Sequence, residues 1–541
     1  MNLTSIPHSR IPQSTDLLLD YLYHYERVAP FYSASPFAAA SYVTLAAQVG
    51  KLSFARGQVA AILQRQNEFF GCARPTFDNI DRLRDAGTFA VVAGQQVGLF
   101  AGPAYTLYKA LTAIRLAQSL AKQGISVVPI FWLASEDHDL EEVAETEILG
   151  NEHELVSLRE EGERPAPACP VGQVKLSLGV TALLDRLEAT LAPGPPRDQL
   201  LHDLRQAYQP GATWAQAFGR LLARMLSRWG LILLDPLDAE IHSLCAPVYR
   251  RALERAAEIR EQLRERSSAL LRAGYQVQVR VGDDSTLLFV ERHGNRTALR
   301  QEGGGFSVND AGKLTPAALS AWLQQNPLEF SPNVLLRPIA QDLLLPTVAY
   351  VGGPSEIAYL GQAQAIYPVF GRPMPVVFPR AGFTLIDHRL GRWLEKYEST
   401  VEDVWQGEEH LSRRMAAAGP AEGWTARFGQ TQQDLGQSLT QLRQELEGFD
   451  PTLAAALDGA REKMLYQLEK LKGKISRAAV GRSTLLARHQ QALRNALLPH
   501  GDLQERRIGG IYFLGRAGYG LLEALLAQIK TDSSDHHVVG Y

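Results

Sequence analysis

Phe89-Ala-Val-Val-Ala93 runs straight into Gly94-Gln-Gln-Val-Gly98-Leu-Phe-Ala-Gly102-Pro103, and a periodic stretch with Leu107, Leu111, Ile114 and Leu120 follows to about Lys122. The short apolar run reads as a buried strand, and the periodic stretch reads as a helix. Pro103 sits where a helix start favours proline. Val127-Val-Pro-Ile-Phe-Trp-Leu133 is a second apolar run. Strand, helix and strand in this order make a βαβ unit, which predicts a parallel sheet.

Outward from this unit the chain changes character several times. Residues 1–87 read as a helical part of the core, with a Pro- and aromatic-rich break at Ala29–Phe37. The βαβ unit spans 88–149, and a first connecting insertion spans 150–225. Gly230-Leu-Ile-Leu-Leu-Asp235 is a third core strand within 226–270, followed by a helix from about Ala239 to Ala273. Tyr275 to Val308 alternates like antiparallel strands, inside a β-rich second insertion at 271–335. Leu345–Val351 and Pro375–Arg380 return to the core within 336–387. From 388 to 500 the pattern is helical. Phe428, Leu435, Leu439, Leu442 and Leu446, then Leu457, Met464, Leu468, Leu471, Ile475 and Ala478, keep 4/3 spacing on either side of Gly448-Phe-Asp-Pro451. That predicts an antiparallel coiled-coil hairpin, or a plain helical hairpin packed on the core. The C-terminal segment is 501–541, and its end, TDSSDHHVVGY, is expected to be mobile.

Composition narrows the function. The chain has 541 residues, with 45% hydrophobic and 21% charged residues, as in a globular protein. Its 55 Lys+Arg against 58 Asp+Glu leave a net charge of -3, without the basic excess of a nucleic-acid binder. No apolar run reaches the roughly 18 residues of a membrane span, and the start lacks a secretory signal. Three scattered cysteines make neither a disulfide framework nor a zinc site. The expectation is a cytoplasmic protein with no nucleic-acid or membrane partner.

In an open α/β sheet, ligands bind beyond the carboxyl ends of the strands. Three segments fall there. In the first, Gln95, Gln96, Gly98, Gly102, Tyr105 and Lys109 are candidate substrate-binding residues. Gly98 and Gly102 permit close backbone approach, and the helix start offers N–H groups to an anion. The same glycines also fit a packing turn. The second is Ser135-Glu-Asp-His-Asp139, with Asp137, His138 and Asp139 as catalytic candidates. His138 titrates near neutrality and can act as a general base, so His138→Ala is expected to abolish activity. The aspartates suit an ammonium group, a sugar hydroxyl or a metal, and a solvated turn with Asp139 as helix cap also fits. The third is Gly352-Gly-Pro-Ser-Glu356, where Gly353, Ser355 and Glu356 join Arg337 and Arg380 as candidates. Two arginines near one edge clamp a carboxylate or phosphate, or serve structural salt bridges.

GQQVGLFAGPAYTLYKALTAIRLA, PIFWLASEDHDLEEV, LRPIAQDLLLPTVAYVGGPSEIAYLGQ and VVFPR resemble the bacillithiol biosynthesis cysteine-adding enzyme family. With the heptad hairpin and the late LQER segment, the resemblance covers nearly the full chain. It implies an α/β fold: a Rossmann-like parallel-sheet core, related to class I aminoacyl-tRNA synthetases, with two inserted connecting segments and a C-terminal α-helical coiled coil. It further implies addition of cysteine to the amine of glucosaminyl-malate, a homodimer through the coiled coil, and an adenine nucleotide (ADP or ATP) bound near the coiled coil; no metal is expected. The synthetase HIGH signature is absent, and the GQQ loop occupies its place. Lys472-Gly-Lys-Ile-Ser476 is similar to KMSKS but lies in a heptad helix. The two carboxylates of malate suit Lys109, Arg337, Arg380 and helix N-termini. Two other readings compete. One is a non-catalytic nucleotide-binding scaffold. The other is a metal-dependent glycosyl or nucleotidyl transferase with Asp137 and Asp139 as ligands.

Overall fold

A computed structural model describes residues 3–166, 168–308, 312–418 and 422–541, so parts of the second insertion and of the helical region, at 309–311 and 419–421, lie outside the described residues. Phe89–Gln96, Val127–Ala134, Ile232–Leu234, Thr347–Gly352 and Val376–Pro379 form one sheet, with every neighbouring pair parallel. Its spatial order runs Val376–Pro379, Thr347–Gly352, Phe89–Gln96, Val127–Ala134, Ile232–Leu234. The chain builds one way from Phe89–Gln96, then returns and builds the other way. Strand order therefore reverses between Phe89–Gln96 and Thr347–Gly352, and such a reversal opens a crevice at the carboxyl ends.

Both faces of the sheet are covered, which is why its strands are unbroken apolar runs. Val91, Ala93, Val127 and Phe131 face one core, with Leu107, Leu111, Ile114 and Leu120 of the helix Tyr105–Lys122. Ala90, Val92, Val128, Ile130 and Trp132 face the other. Glu145–Leu149 pairs with Leu155–Arg159 as a hairpin leading into the first insertion, which continues with the helices Gly179–Thr190, Pro195–Ala207 and Trp214–Leu226. The second is a separate antiparallel sheet that includes Ser285–Arg292, Asn295–Glu302 and Phe330–Pro332.

Glu422–Phe449 and Pro451–Arg482 pack as the expected hairpin. Asp450 makes the turn and accepts from the Thr452 amide at 2.8 Å. Arg443 to Asp458 (3.0 Å) and Gln432 to Glu469 (3.2 Å) tie the two helices in register. No helix among the described residues is long and apolar enough to cross a membrane.

Three local expectations need correction. The end of the chain is not a mobile tail: His536–Gly540 is a strand, parallel to Phe383–Ile386 and antiparallel to Leu3–Ile6, with His536 to Val539 buried. Its partners come from distant parts of the chain, one of them the opposite end, so the short HHVVG stretch carries no local signal of pairing. Pro103 does not open its helix, which begins at Tyr105. Instead Pro103 bridges Gly509, and the Ala104 amide donates to the Ile508 carbonyl at 2.9 Å. The helix after the third core strand is two, Ala239–Glu254 and Ala256–Arg272, because Arg255 leaves the helical region.

Candidate functional site

The crevice at the strand-order reversal is a cavity of about 680 Å³. Gly94, Gln95 and Gln96 end one strand at its floor, and Tyr350 and Gly353 end the neighbouring one. Trp132 comes from the second core strand, Arg380 follows the last one, and Phe289 and Arg296 reach in from the second insertion. The cavity therefore lies between the core and an inserted sheet, where ligand sites commonly form.

Lys109, buried, and Glu356, mostly so, join the first and third candidate segments as an ion pair. Lys109 Nζ also donates to the Gly94 carbonyl (3.0 Å) and to Gln95 Oε1 (2.7 Å). Glu356 accepts from the Gly353 amide (2.8 Å) and the Tyr350 hydroxyl (2.7 Å). Burial pushes the Glu356 carboxyl up, but Lys109 and these donors outweigh it and hold it below the usual range. Burial lowers the Lys109 ammonium despite Glu356.

Arg337 is arranged differently. It donates to Gln341 (3.1 Å) and to the Tyr350 and Tyr359 hydroxyls (3.2 Å each), and its guanidinium lies 6.0 Å from the centre of the Trp132 ring. No carboxylate among the described residues lies within ion-pair distance of it. Burial works against its charge, but Tyr350, Tyr359 and Glu356 outweigh that and raise its pKa. Arg380, by contrast, is matched by buried Glu505 at 2.6 Å and stacks over Tyr105. The Trp132 indole N–H is buried at the cavity wall without a hydrogen-bond partner. A positive charge and a donor left open in one cavity suit an anionic or oxygen-rich ligand.

The structure brings Gln95, Gln96, Tyr105, Lys109, Asp137, Arg337, Gly353, Ser355, Glu356 and Arg380 together around this cavity. Gly98, Gly102, His138 and Asp139 are not in its lining. A Cβ at Gly98 would stand 2.9 Å from the Gly102 Cα, so these glycines are needed to pass each other. The helix start beside them is taken by the Ile508–Gly509 segment and is not free for an anion. These glycines offer no phosphate cradle to an adenine nucleotide.

Asp139 caps the helix Leu140–Val143 by accepting from the Glu142 amide at 3.2 Å. Asp137 Oδ1 accepts from the His138 amide, and its Oδ2 accepts from Gln96 (2.8 Å). The two aspartates do not converge, and no group of three or more His, Cys, Asp or Glu suited to a metal occurs among the described residues. The His138 side chain is 41% exposed, and its Nδ1 accepts from Arg296 at 3.3 Å. That position suits a support for Arg296 better than a base acting on a bound substrate. His138→Ala is accordingly expected to keep turnover within about tenfold of the parent, short of the ~10²–10⁴ that a positioned acid–base group supplies. Steady-state rates of the two proteins check this.

Sequence reasoning missed Glu136, Trp132, Phe289, Arg296, Tyr350, Tyr359 and Arg506, all of which line the cavity. Arg506 belongs to the late LQER segment, and its side chain carries no hydrogen bond or ion pair among the described residues. Glu136 directly precedes Asp137 in the same charged segment.

Comparison with known proteins agrees with this architecture. The family model "Bacillithiol biosynthesis BshC, N-terminal Rossmann-like domain" matches residues 1–381, and "Bacillithiol biosynthesis BshC, C-terminal coiled-coil domain" matches 383–541. A protein of Koribacter versatilis named "Putative cysteine ligase BshC" is 38% identical over 538 residues, 99% of each chain. Proteins of the same name are 36% identical in Solibacter usitatus, over 100% of each chain, and 34% in Salinibacter ruber, over 99% of this chain and 98% of that one. With both halves of the molecule matched in order, the chain belongs to the BshC family, the cysteine ligases of bacillithiol biosynthesis.

Proposed function

We propose that this ligase joins the carboxyl of cysteine to the amine of glucosaminyl-malate in the cavity at the strand-order reversal, as the last step of bacillithiol synthesis in the cytoplasm. The observation that carries the reading is Arg337, a half-buried guanidinium that faces the cavity with no carboxylate among the described residues paired to it. A malate carboxylate supplies the missing partner, with Trp132 N–H and Arg506 as further donors. Glu136 and Asp137 in the same lining offer carboxylates to the sugar's ammonium. Lys109, tied to Glu356, shapes the floor. The three free cysteines lie outside the cavity lining, which favours direct attack by the amine on an activated cysteine over a thioester carried on the protein.

The test is incubation of the purified protein with glucosaminyl-malate, cysteine and candidate carboxyl-activating donors, with mass detection of the amide. Amide formation supports the reading. Tight binding of both substrates without amide under every donor would instead make the chain a scaffold.

The same proposal includes a homodimer through the coiled coil. Met464 and Leu471 lie seven residues apart on one face and are exposed, as are Leu442 and Tyr466. An apolar stripe on a projecting hairpin is covered most simply by a second copy. Leu439, in contrast, is buried in the hairpin's own seam. Replacing Met464 and Leu471 together with Glu is expected to give monomers with an intact hairpin. Light scattering with circular dichroism checks both parts, and a monomeric parent protein would refute the dimer.

A further inference from the structure

Glu136 follows the second core strand and is buried, yet it accepts no hydrogen bond from any described residue while lining the cavity. Behind it stands His242, on the helix Ala239–Glu254 and 2% exposed. His242 Nδ1 lies 2.8 Å from the Phe330 carbonyl oxygen. A carbonyl only accepts, so Nδ1 carries the hydrogen, and in the neutral ring Nε2 is then a lone pair. That lone pair faces Glu136 Oε1 at 3.4 Å and has no hydrogen-bond partner of its own. A lone pair and a carboxylate facing each other in a buried place attract one proton between them. The tautomer is fixed by a backbone contact, as in sites where a carbonyl orients a histidine for acid–base work.

Resting on the function proposed above, we infer that Glu136, with His242 behind it, is the base that takes the proton from the substrate's ammonium. Glu136 touches the substrate, and His242 is a positioning residue that acts through it. In the step, an N–H bond of the ammonium breaks and the proton passes to the Glu136 carboxylate, shared with His242 Nε2. The nitrogen keeps the electron pair and becomes the nucleophile for the activated cysteine carboxyl. As the N–C bond forms, the bond from the carboxyl carbon to its activating group breaks and that group leaves with the electron pair; the nitrogen then loses its second proton, and the two protons end on the departing group and on water. The arrangement also assigns the orientation of the substrate: its amine toward the second core strand, its malate toward Arg337.

Other charged and titratable groups face this pair. Arg296 comes from the inserted sheet, Asp137 from the same loop, Asp235 from the end of the third core strand, Cys245 and Tyr249 from the helix of His242, and Glu291 from the inserted sheet. Among these Arg296 is a cation, and the others are acidic or neutral. A variant must therefore be compared across the full pH–rate profile.

The experiment uses the full chain with glucosaminyl-malate, cysteine and the donor that supports turnover. Glu136→Gln is expected to lower kcat by about 10²–10⁴ with KM for the amine substrate little changed. The loss should shrink as the pH is raised and solution supplies the free amine. Glu136→Asp should restore part of the rate. His242→Asn keeps a donor toward the Phe330 carbonyl and removes Nε2; it should lower kcat and displace the acid limb of the profile. An unchanged kcat in Glu136→Gln, or a change in KM alone, would overturn the inference. If the parent protein makes no amide with any donor, the function fails instead, and ¹⁵N spectra of the His242 ring decide the proton site. A neutral ring protonated at Nδ1, whose Nε2 titration moves in Glu136→Gln, supports it. A neutral ring protonated at Nε2, or a titration indifferent to Glu136, overturns it.

Discussion

Lys109→Met is expected to destabilise the protein by about 3–5 kcal/mol, the usual cost of removing one member of a buried ion pair. The reason is what remains. Glu356 is mostly buried, and although the Gly353 amide and the Tyr350 hydroxyl still donate to it, the cation that offsets its desolvation is gone. The pH dependence should change sign with it. In the parent protein the Glu356 carboxyl is held below its ordinary range, so its contribution is present above the unfolded-state pKa and lost as pH falls. In Lys109→Met burial acts with less opposition, the folded-state carboxyl rises, and stability falls as pH rises past the unfolded-state value. Adding Glu356→Gln removes the stranded charge, so the double variant should be more stable than Lys109→Met alone. Activity should not return with stability, because Lys109 also fixes Gln95 and the end of the first core strand. Urea titrations at two pH values, followed by circular dichroism, test all three statements. A single variant as stable as the parent would show that the pair carries no net strain when broken.

The sheet was legible because its strands are buried on both faces and so read as unbroken apolar runs, separated by glycine-rich joins. The residues at their carboxyl ends were legible for the same reason: Gln95, Gln96, Tyr105, Lys109, Arg337, Gly353, Ser355, Glu356 and Arg380 all follow or flank such runs, and all line the cavity. What the sequence hid depends on contacts between distant segments. Arg296 lies on a strand of an insertion, and nothing local says that this sheet folds over the cavity mouth. Trp132 sits inside a strand whose neighbours are all apolar, so its indole reads as core. His242 is an isolated histidine on a helix, and only the Phe330 carbonyl and Glu136 give it a direction. His138 and Asp139 stand where charge follows an apolar strand; there Asp139 caps a helix and His138 accepts from Arg296. The C-terminal strand was missed because pairing energy comes from Leu3–Ile6 and Phe383–Ile386, not from its own five residues.

Arg337→Met is expected to weaken binding of glucosaminyl-malate by about 2–5 kcal/mol, the range for losing one partner of a buried, hydrogen-bonded charge pair. That corresponds to roughly 30- to 4000-fold in Kd at 1.4 kcal/mol per factor of ten. Stability should respond less than in Lys109→Met. Among the described residues no carboxylate lies within ion-pair distance of Arg337, and its side chain donates to Gln341 and two tyrosine hydroxyls. Removing the cation relieves its desolvation but also removes the favourable field that Tyr350, Tyr359 and Glu356 supply, so the free variant should stay closer to the parent than Lys109→Met does. Arg337→Lys should fall between the two in affinity, since it keeps the charge but loses the planar fork that grips a carboxylate through two donors. An analogue lacking the malate carboxylates should bind the parent and Arg337→Met equally, which ties the loss to those groups rather than to a collapsed cavity. Calorimetric titration of the three proteins, alongside their thermal unfolding, separates binding from folding. Equal affinity of the parent and Arg337→Met for glucosaminyl-malate would remove Arg337 as the anchor and, with it, the observation on which the functional assignment rests.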